Sequence, residues 1–324
     1  NMAAGGIYTI GGAFWEFGAP DWDLTEMFVL FGVAEDHDSN LIKIGLGKIK
    51  KQGKKVVSVN PVQTGYSAIS EDWYGVTPGT DGLLILSLIR ELMCSGNVDL
   101  DYLRRYTNAP WLVIRNPGKS DDGLFYRDKD GNPTVMDRKT GKPVSYKNSN
   151  LNCAMTGEID LGKGSKATPV FVLMTEAFMT EAYSPESIES SVGISAVRIR
   201  KFAADLAHAA FDKEVVINQP WVDWKGEKHD KMIGRPVAMH AMRGISAHSN
   251  GFQTARALHV LQIILGTVEV PATFIADAPL AALHRADAET GLDVRVPRRA
   301  DGRLRRPDEE AARSEQLWRR QPHP

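Results

Sequence analysis

The tightest constraint on this chain is the stretch from Val56 to Leu88, where two apolar runs are each cut off by proline and followed by polar residues. Val56 to Val59, with Lys55 before it, reads as a strand. Asn60-Pro61 must end it, because proline has no amide donor and restricts the backbone of the residue before it. A second run, Trp73 to Val76, stops at Pro78-Gly79-Thr80-Asp81, after which Leu83, Leu84, Leu86, Leu88 and Ile89 open a helix with Thr80 or Asp81 as its cap. Both loops then lie at the carboxyl edge of a parallel sheet, where helix amides and positive dipole ends hold phosphates and nucleotides. The expected fold is α/β and Rossmann-like, a mostly parallel sheet with helices on both faces.

The rest of the chain extends this reading. Residues 1–23 mix glycines with aromatics and predict a loop-rich beginning with close backbone approaches. Met27 to Phe31 is a continuous apolar strand, and the polar loop from Gly32 to Asn40 follows it. Ser39 or Asn40 caps the next helix, whose Leu41, Ile42, Ile44, Leu46 and Ile49 face the sheet before Gly53 ends it. The helix beginning near residue 81 places Cys94 in the core, and a short helix capped by Asp99 leads to a strand at Trp111 to Ile114. Residues 115–167 alternate apolar and polar around Asp130-Gly131-Asn132-Pro133 and Thr140-Gly141-Lys142-Pro143, which predicts a β-meander insertion. Helices resume at Thr168, at the Ser184-Pro185 cap, and at Ser195, where Val197, Ile199, Phe202, Leu206 and Ala209 are expected to be buried. Strands follow at Glu214 to Asn218 and Pro236 to Met242. The last helix, Ala257 to Leu265 with Gly266 closing it, comes after a polar loop carrying Gly244, His248, Asn250 and Gly251.

Totals narrow the function. The chain has 324 residues and a formal net charge of −1, so it carries neither a nucleic-acid footprint nor a basic membrane-binding surface. A small-molecule partner is the expectation. Its two cysteines, Cys94 and Cys153, are far apart and lack the grouping of an iron-sulfur or zinc site. No apolar run is long enough to span a bilayer.

Strand-Asn60-Pro61-x-x-Thr64 followed by Gly79-Thr80-Asp81-Gly82 and a leucine-rich helix resembles the molybdopterin oxidoreductases of the dimethyl sulfoxide reductase family. Glu35 and His37, after Gly32 and Val33, carry the spacing of a family loop that approaches the dinucleotide. The run Gly244-x-x-x-His248-x-Asn250-Gly251 resembles another. The resemblance covers residues 1–271 and implies cofactor contacts at Gly32, Val33, Glu35, His37, Asn60, Thr64, Gly79, Asp81, Gly244, His248 and Asn250, with Asp81 on a guanine base. The family usually has Asp at position 60 and Arg at position 62, where this chain has Asn60 and Val62.

The resemblance further implies a molybdenum bis(molybdopterin guanine dinucleotide) cofactor and a catalytic-subunit fragment of a larger multidomain enzyme, nearest in appearance to those acting on sulfur oxyanions. A metal ligand and a [4Fe-4S] cluster are expected before Asn1. The expected partners are an iron-sulfur electron-transfer subunit with a membrane anchor subunit. The expected compartment is the cytoplasm, or the periplasm if a twin-arginine signal precedes this sequence. No catalytic residue or metal ligand is identified within the chain. An ordinary dinucleotide-binding module, or a metal-free relative in a respiratory complex, is the alternative, although GxGxxG is absent. Residues 272–324 contain ten arginines and no lysine, lose apolar periodicity, and are expected to be a disordered tail outside the family sequence.

Overall fold

The computed structural model describes residues 2–12, 17–33, 40–63, 65–148, 152–223 and 226–276, with the backbone alone at 17–20, 40, 41, 243 and 274–276. In chain order the first part runs α1 (Met2–Ile10), β1 (Phe17–Pro20), β2 (Met27–Phe31), α2 (Asn40–Lys51), β3 (Lys55–Val59), α3 (Tyr66–Ile69), β4 (Asp72–Tyr74), α4 (Asp81–Cys94) and α5 (Leu100–Tyr106). An excursion follows with β5 (Leu112–Arg115), β6 (Thr134–Met136), β7 (Pro143–Ser145), β8 (Ile159–Gly162) and β9 (Ser165–Pro169). The chain then continues through α6 (Val170–Phe178), α7 (Pro185–Val192), α8 (Ala196–Ala207), β10 (Val215–Ile217), β11 (Trp221–Val222), β12 (Lys228–His229), β13 (Met232–Gly234), β14 (Val237–Ala241), α9 (Gly251–Leu265) and β15 (Phe274–Ala276).

Four strands form a wholly parallel sheet in the order β14-β2-β3-β4. Alternation of side chains along each strand divides the core in two. Met27, Val29 and Phe31 of β2, Val57 and Val59 of β3, and Met239 of β14 pack under α4, α8 and α9. Phe28 and Leu30, with Val56 and Ala238, turn to the opposite face under Ile42, Leu46 and Ile49 of α2 and Tyr66 of α3. Burial on both faces explains why these strands read as unbroken apolar runs.

Strand order fixes where a site can form. The chain steps from β2 through β3 to β4 on one side and returns to place β14 on the other side of β2. β2 is therefore where the strand order reverses, and the carboxyl edge at such a point is where open α/β sheets bind ligands.

The insertion is antiparallel and separate from this sheet. β6 and β7 form a hairpin, and β9 lies between β5 and β8. Asp128 accepts from the amides of Asp130 and Asn132 at 2.9 Å, which explains the first turn seen in the sequence.

Several local expectations are corrected. Residues 2–10 are helical, not loop: Gly5 and Gly6 let α1 lie against α9, since a Cβ at Gly5 would fall 2.7 Å from the Cβ of Ala255. Ile44 and Val197 are 59% and 76% exposed, because each lies off the buried stripe of its helix. Cys94 is exposed where α4 ends, and Cys153 is buried within the insertion. The Glu214–Asn218 strand is β10, and it pairs with β13 outside the parallel sheet. α6 has an apolar sequence, but none of its residues is fully buried.

His240 of β14 lies in register with Leu30. Burial depresses its imidazole from 6.5 to about 4, so the folded chain resists a proton that the unfolded chain accepts near its ordinary value. Stability from this group is intact above pH 6.5 and falls as pH drops towards 4, by up to about 3 kcal/mol. Urea melts should show His240→Met losing less stability than the parent between pH 6.5 and 4.5; parallel losses would count against this assignment.

Candidate functional site at the sheet's carboxyl edge

The loops after β2, β3, β4 and β14 are tied to one another by short polar contacts. Asn60, just past β3, donates from its side-chain amide to the carbonyl of Val33 at 3.2 Å, and its backbone amide donates to the carbonyl of Tyr74 at 3.1 Å. The indole of Trp73 donates to the carbonyl of Asn60 at 2.8 Å. Asn60 therefore braces three loops. An aspartate could not donate to Val33, and its charge would face that carbonyl. Asn60→Asp is expected to destabilise by about 1–3 kcal/mol, read as a lower Tm; an unchanged Tm would show that the brace is dispensable.

The β14 loop closes the same rim. Gly32 has φ +62° and approaches Gly244 so closely that a Cβ on Gly244 would meet the Gly32 carbonyl at 3.4 Å. A 3₁₀ turn over Arg243–Ser246 then carries the chain to His248 and Asn250. Asn250 donates from its side chain to the carbonyl of Gly79 at 3.2 Å, and a Cβ on Gly79 (φ +83°) would lie 3.5 Å from the His248 ring. Gly82 seats α4 against α9, since a Cβ there would fall 2.8 Å from the Thr254 hydroxyl. The 14-residue α4 and the 15-residue α9 thus begin side by side, which brings their positive dipole ends together.

Asp81 stands at this junction. Thr80 takes the N-cap position, but its hydroxyl donates to the Thr77 carbonyl and makes no side-chain cap, and Asp81 is already the first helical residue. Asp81 is only 6% exposed. Burial pushes its carboxyl above the usual carboxylate range, against the pull of its own amide and of His248. Its own first-turn amide is thus the hydrogen-bond donor that this carboxyl draws on, at the point where α4 meets the β14 loop.

Gly32, Val33, Asn60, Gly79, Asp81, Gly244, His248 and Asn250 are thereby gathered by the four loops. Glu35, His37 and Thr64 lie outside the described residues. Sequence reading missed Trp73 and Thr254; one resembles an ordinary strand aromatic and the other an ordinary helix threonine, and only the tertiary contacts distinguish them.

A sulfite dehydrogenase subunit of Allochromatium vinosum is 43% identical over 288 residues, covering 86% of this chain and 30% of that protein. The chain belongs to the dimethyl sulfoxide reductase family of molybdopterin oxidoreductases. A second relative of this family member, the chlorate reductase alpha subunit of Ideonella dechloratans, is 28% identical over 180 residues, 50% of this chain and 19% of that protein. Acetylene hydratase from Pelobacter acetylenicus shares the fold, with a TM-score of 0.50 and 14% identity over 84% of this chain and 25% of its own. No family model matches the chain. The chain spans less than a third of the length of these curated relatives.

This family uses molybdenum-pterin cofactors. The rim fits such a group on three counts: a buried acceptor at Asp81, two adjoining helix N-termini suited to a pyrophosphate, and glycines where the backbone must come close. Among the described residues no helix is long and apolar enough to cross a membrane.

Proposed function

We propose that this chain forms the dinucleotide-holding α/β part of the catalytic subunit of a bis(molybdopterin guanine dinucleotide) oxidoreductase that acts on a sulfur oxyanion, sulfite being the favoured substrate. The observation that carries it is the buried Asp81 carboxylate between two helix N-termini. Guanine offers two adjacent N–H donors on one edge, and a carboxylate accepts both; adenine and cytosine present no such pair. His248 exerts an electrostatic pull on that carboxylate, Asn250 holds the Gly79 turn before it, and the N-terminal ends of α4 and α9 take the phosphates. The similarity to a sulfite dehydrogenase supports the substrate.

The bound cofactor supplies oxygen-atom and electron transfer, while the protein supplies position and electrostatics. A [4Fe-4S] cluster would be held by sequence outside this chain, because Cys94 is exposed and Cys153 buried in different elements. The proposed partners are an iron-sulfur subunit with a membrane anchor subunit, on the cytoplasmic side.

The test uses the full-length protein, purified from cells supplied with molybdate, with molybdenum, pterin and sulfite-dependent reduction of an artificial acceptor all measured. Stoichiometric molybdenum with sulfite turnover is expected. Molybdenum without sulfite turnover would remove the substrate assignment, and absence of molybdenum would remove the cofactor assignment as well.

A further inference from the structure

A second cluster of ligating side chains lies on the β11–β12 hairpin, away from the four rim loops. Asp223, Glu227 and His229 each offer one ligand atom, and these atoms all lie within 4.8 Å of one another. The hairpin presets two of them. The Asp223 amide donates to the Glu227 carbonyl and the Glu227 amide to the Asp223 carboxylate, both at 2.9 Å, closing the turn. The other Asp223 oxygen is 3.0 Å from Nε2 of His229. Two ligands on one tetrahedral cation, each about 2.0–2.1 Å from it, stand roughly 3.3 Å apart, so this pair needs almost no movement.

The imidazole is also held in plane. Trp221, opposite His229 in the hairpin register, stacks on it at 4.6 Å and 24°, and the Trp221 indole donates to the Lys231 carbonyl at 2.9 Å. Asp223 is buried, its side chain 3% exposed, while that of His229 is 18% exposed, so the cluster has a buried floor and an open mouth. Glu227 does not staple the hairpin with its side chain. Its one ion pair among the described residues, to Arg105, is long at 3.9 Å.

We propose that Asp223, Glu227 and His229 bind a first-row divalent cation of the zinc type, with solvent completing its shell. One imidazole and two carboxylates suit Zn²⁺ better than Ca²⁺ or Mg²⁺, which prefer all-oxygen sites. A hairpin fastened by an Asp–His pair alone has no use for the third carboxylate, and that difference is what the test exploits.

The 324-residue chain, stripped of metal with a chelator, is titrated with Zn²⁺ by calorimetry, and with Co²⁺ as a visible-absorption probe. Saturable one-to-one binding is expected. Glu227→Gln, which leaves the hairpin's hydrogen bonds in place, should weaken it about tenfold or more, and His229→Gln by a similar or larger factor. Circular dichroism of both variants should match the parent. Absence of saturable binding, or an unchanged affinity in either folded variant, would overturn the proposal.

Discussion

Replacing Asp99 with alanine is expected to destabilise the chain by about 3–5 kcal/mol, a large fraction of a typical folding free energy. Asp99 caps α5 by accepting from the Tyr102 amide at 2.9 Å. Its other oxygen accepts from both Nε and a terminal nitrogen of Arg235 at 2.8 Å. Both side chains are largely buried, and Arg235 lies over the Phe211 ring with only Glu214 as a further acidic partner among the described residues. Removing Asp99 therefore leaves Nε and one terminal nitrogen of a largely buried guanidinium without their carboxylate, with Glu214 and the Ala210 carbonyl still held by the other, and deletes a helix cap as well. Asp101→Ala is the control: that carboxylate is exposed and, among the described residues, paired only with Arg104, so its loss should stay within about 0.5 kcal/mol. Chemical denaturation of the two variants checks the contrast. Equal, small effects would show that the Asp99–Arg235 pair is not the clamp described.

The second large effect concerns binding. Asp81→Asn should reduce pterin dinucleotide retained by the full-length protein at least about tenfold, because the amide replaces one acceptor with a donor facing guanine's donors. Stability should move the other way. Burial raises the Asp81 carboxyl in the fold, so the folded state favours its proton; this contribution is fully present below the ordinary value of 3.8 and is lost as pH rises through the raised folded value. Near neutrality the ionised group opposes folding, and Asp81→Asn should leave the Tm of the 324-residue chain unchanged or higher. A residue placed there to stabilise α4 would give the opposite result, a lower Tm with retention intact.

The legible and illegible parts of this chain differ for physical reasons. β2 and β3 could be read from sequence because a parallel strand buried on both faces must be apolar throughout, as Met27 to Phe31 is. The four loops were legible because Gly32, Pro61, Pro78-Gly79 and Gly251 punctuate the pattern. α1 was not: Gly5 and Gly6 argue against a helix locally, and only tertiary packing explains them, Gly5 against Ala255 of α9 and Gly6 against the Gly12 carbonyl and His259. Ile44 and Val197 misled because apolar identity does not reveal which side of a helix is covered. Asp81 was found by its neighbours in sequence, but its burial and the electrostatic pull of His248 come from two segments far apart in the chain. The Asp223, Glu227 and His229 cluster carries no spacing that singles it out until the hairpin closes.

One determination bears directly on the central claim that this rim grips a guanine nucleotide through Asp81. The full-length protein and its Asp81→Asn variant are hydrolysed in acid, and the released nucleoside monophosphate is identified and quantified by mass spectrometry. GMP released in proportion to pterin from the parent, and at least about tenfold less from the variant, is the predicted result. Pterin without GMP, CMP in its place, or equal GMP from both proteins would contradict it.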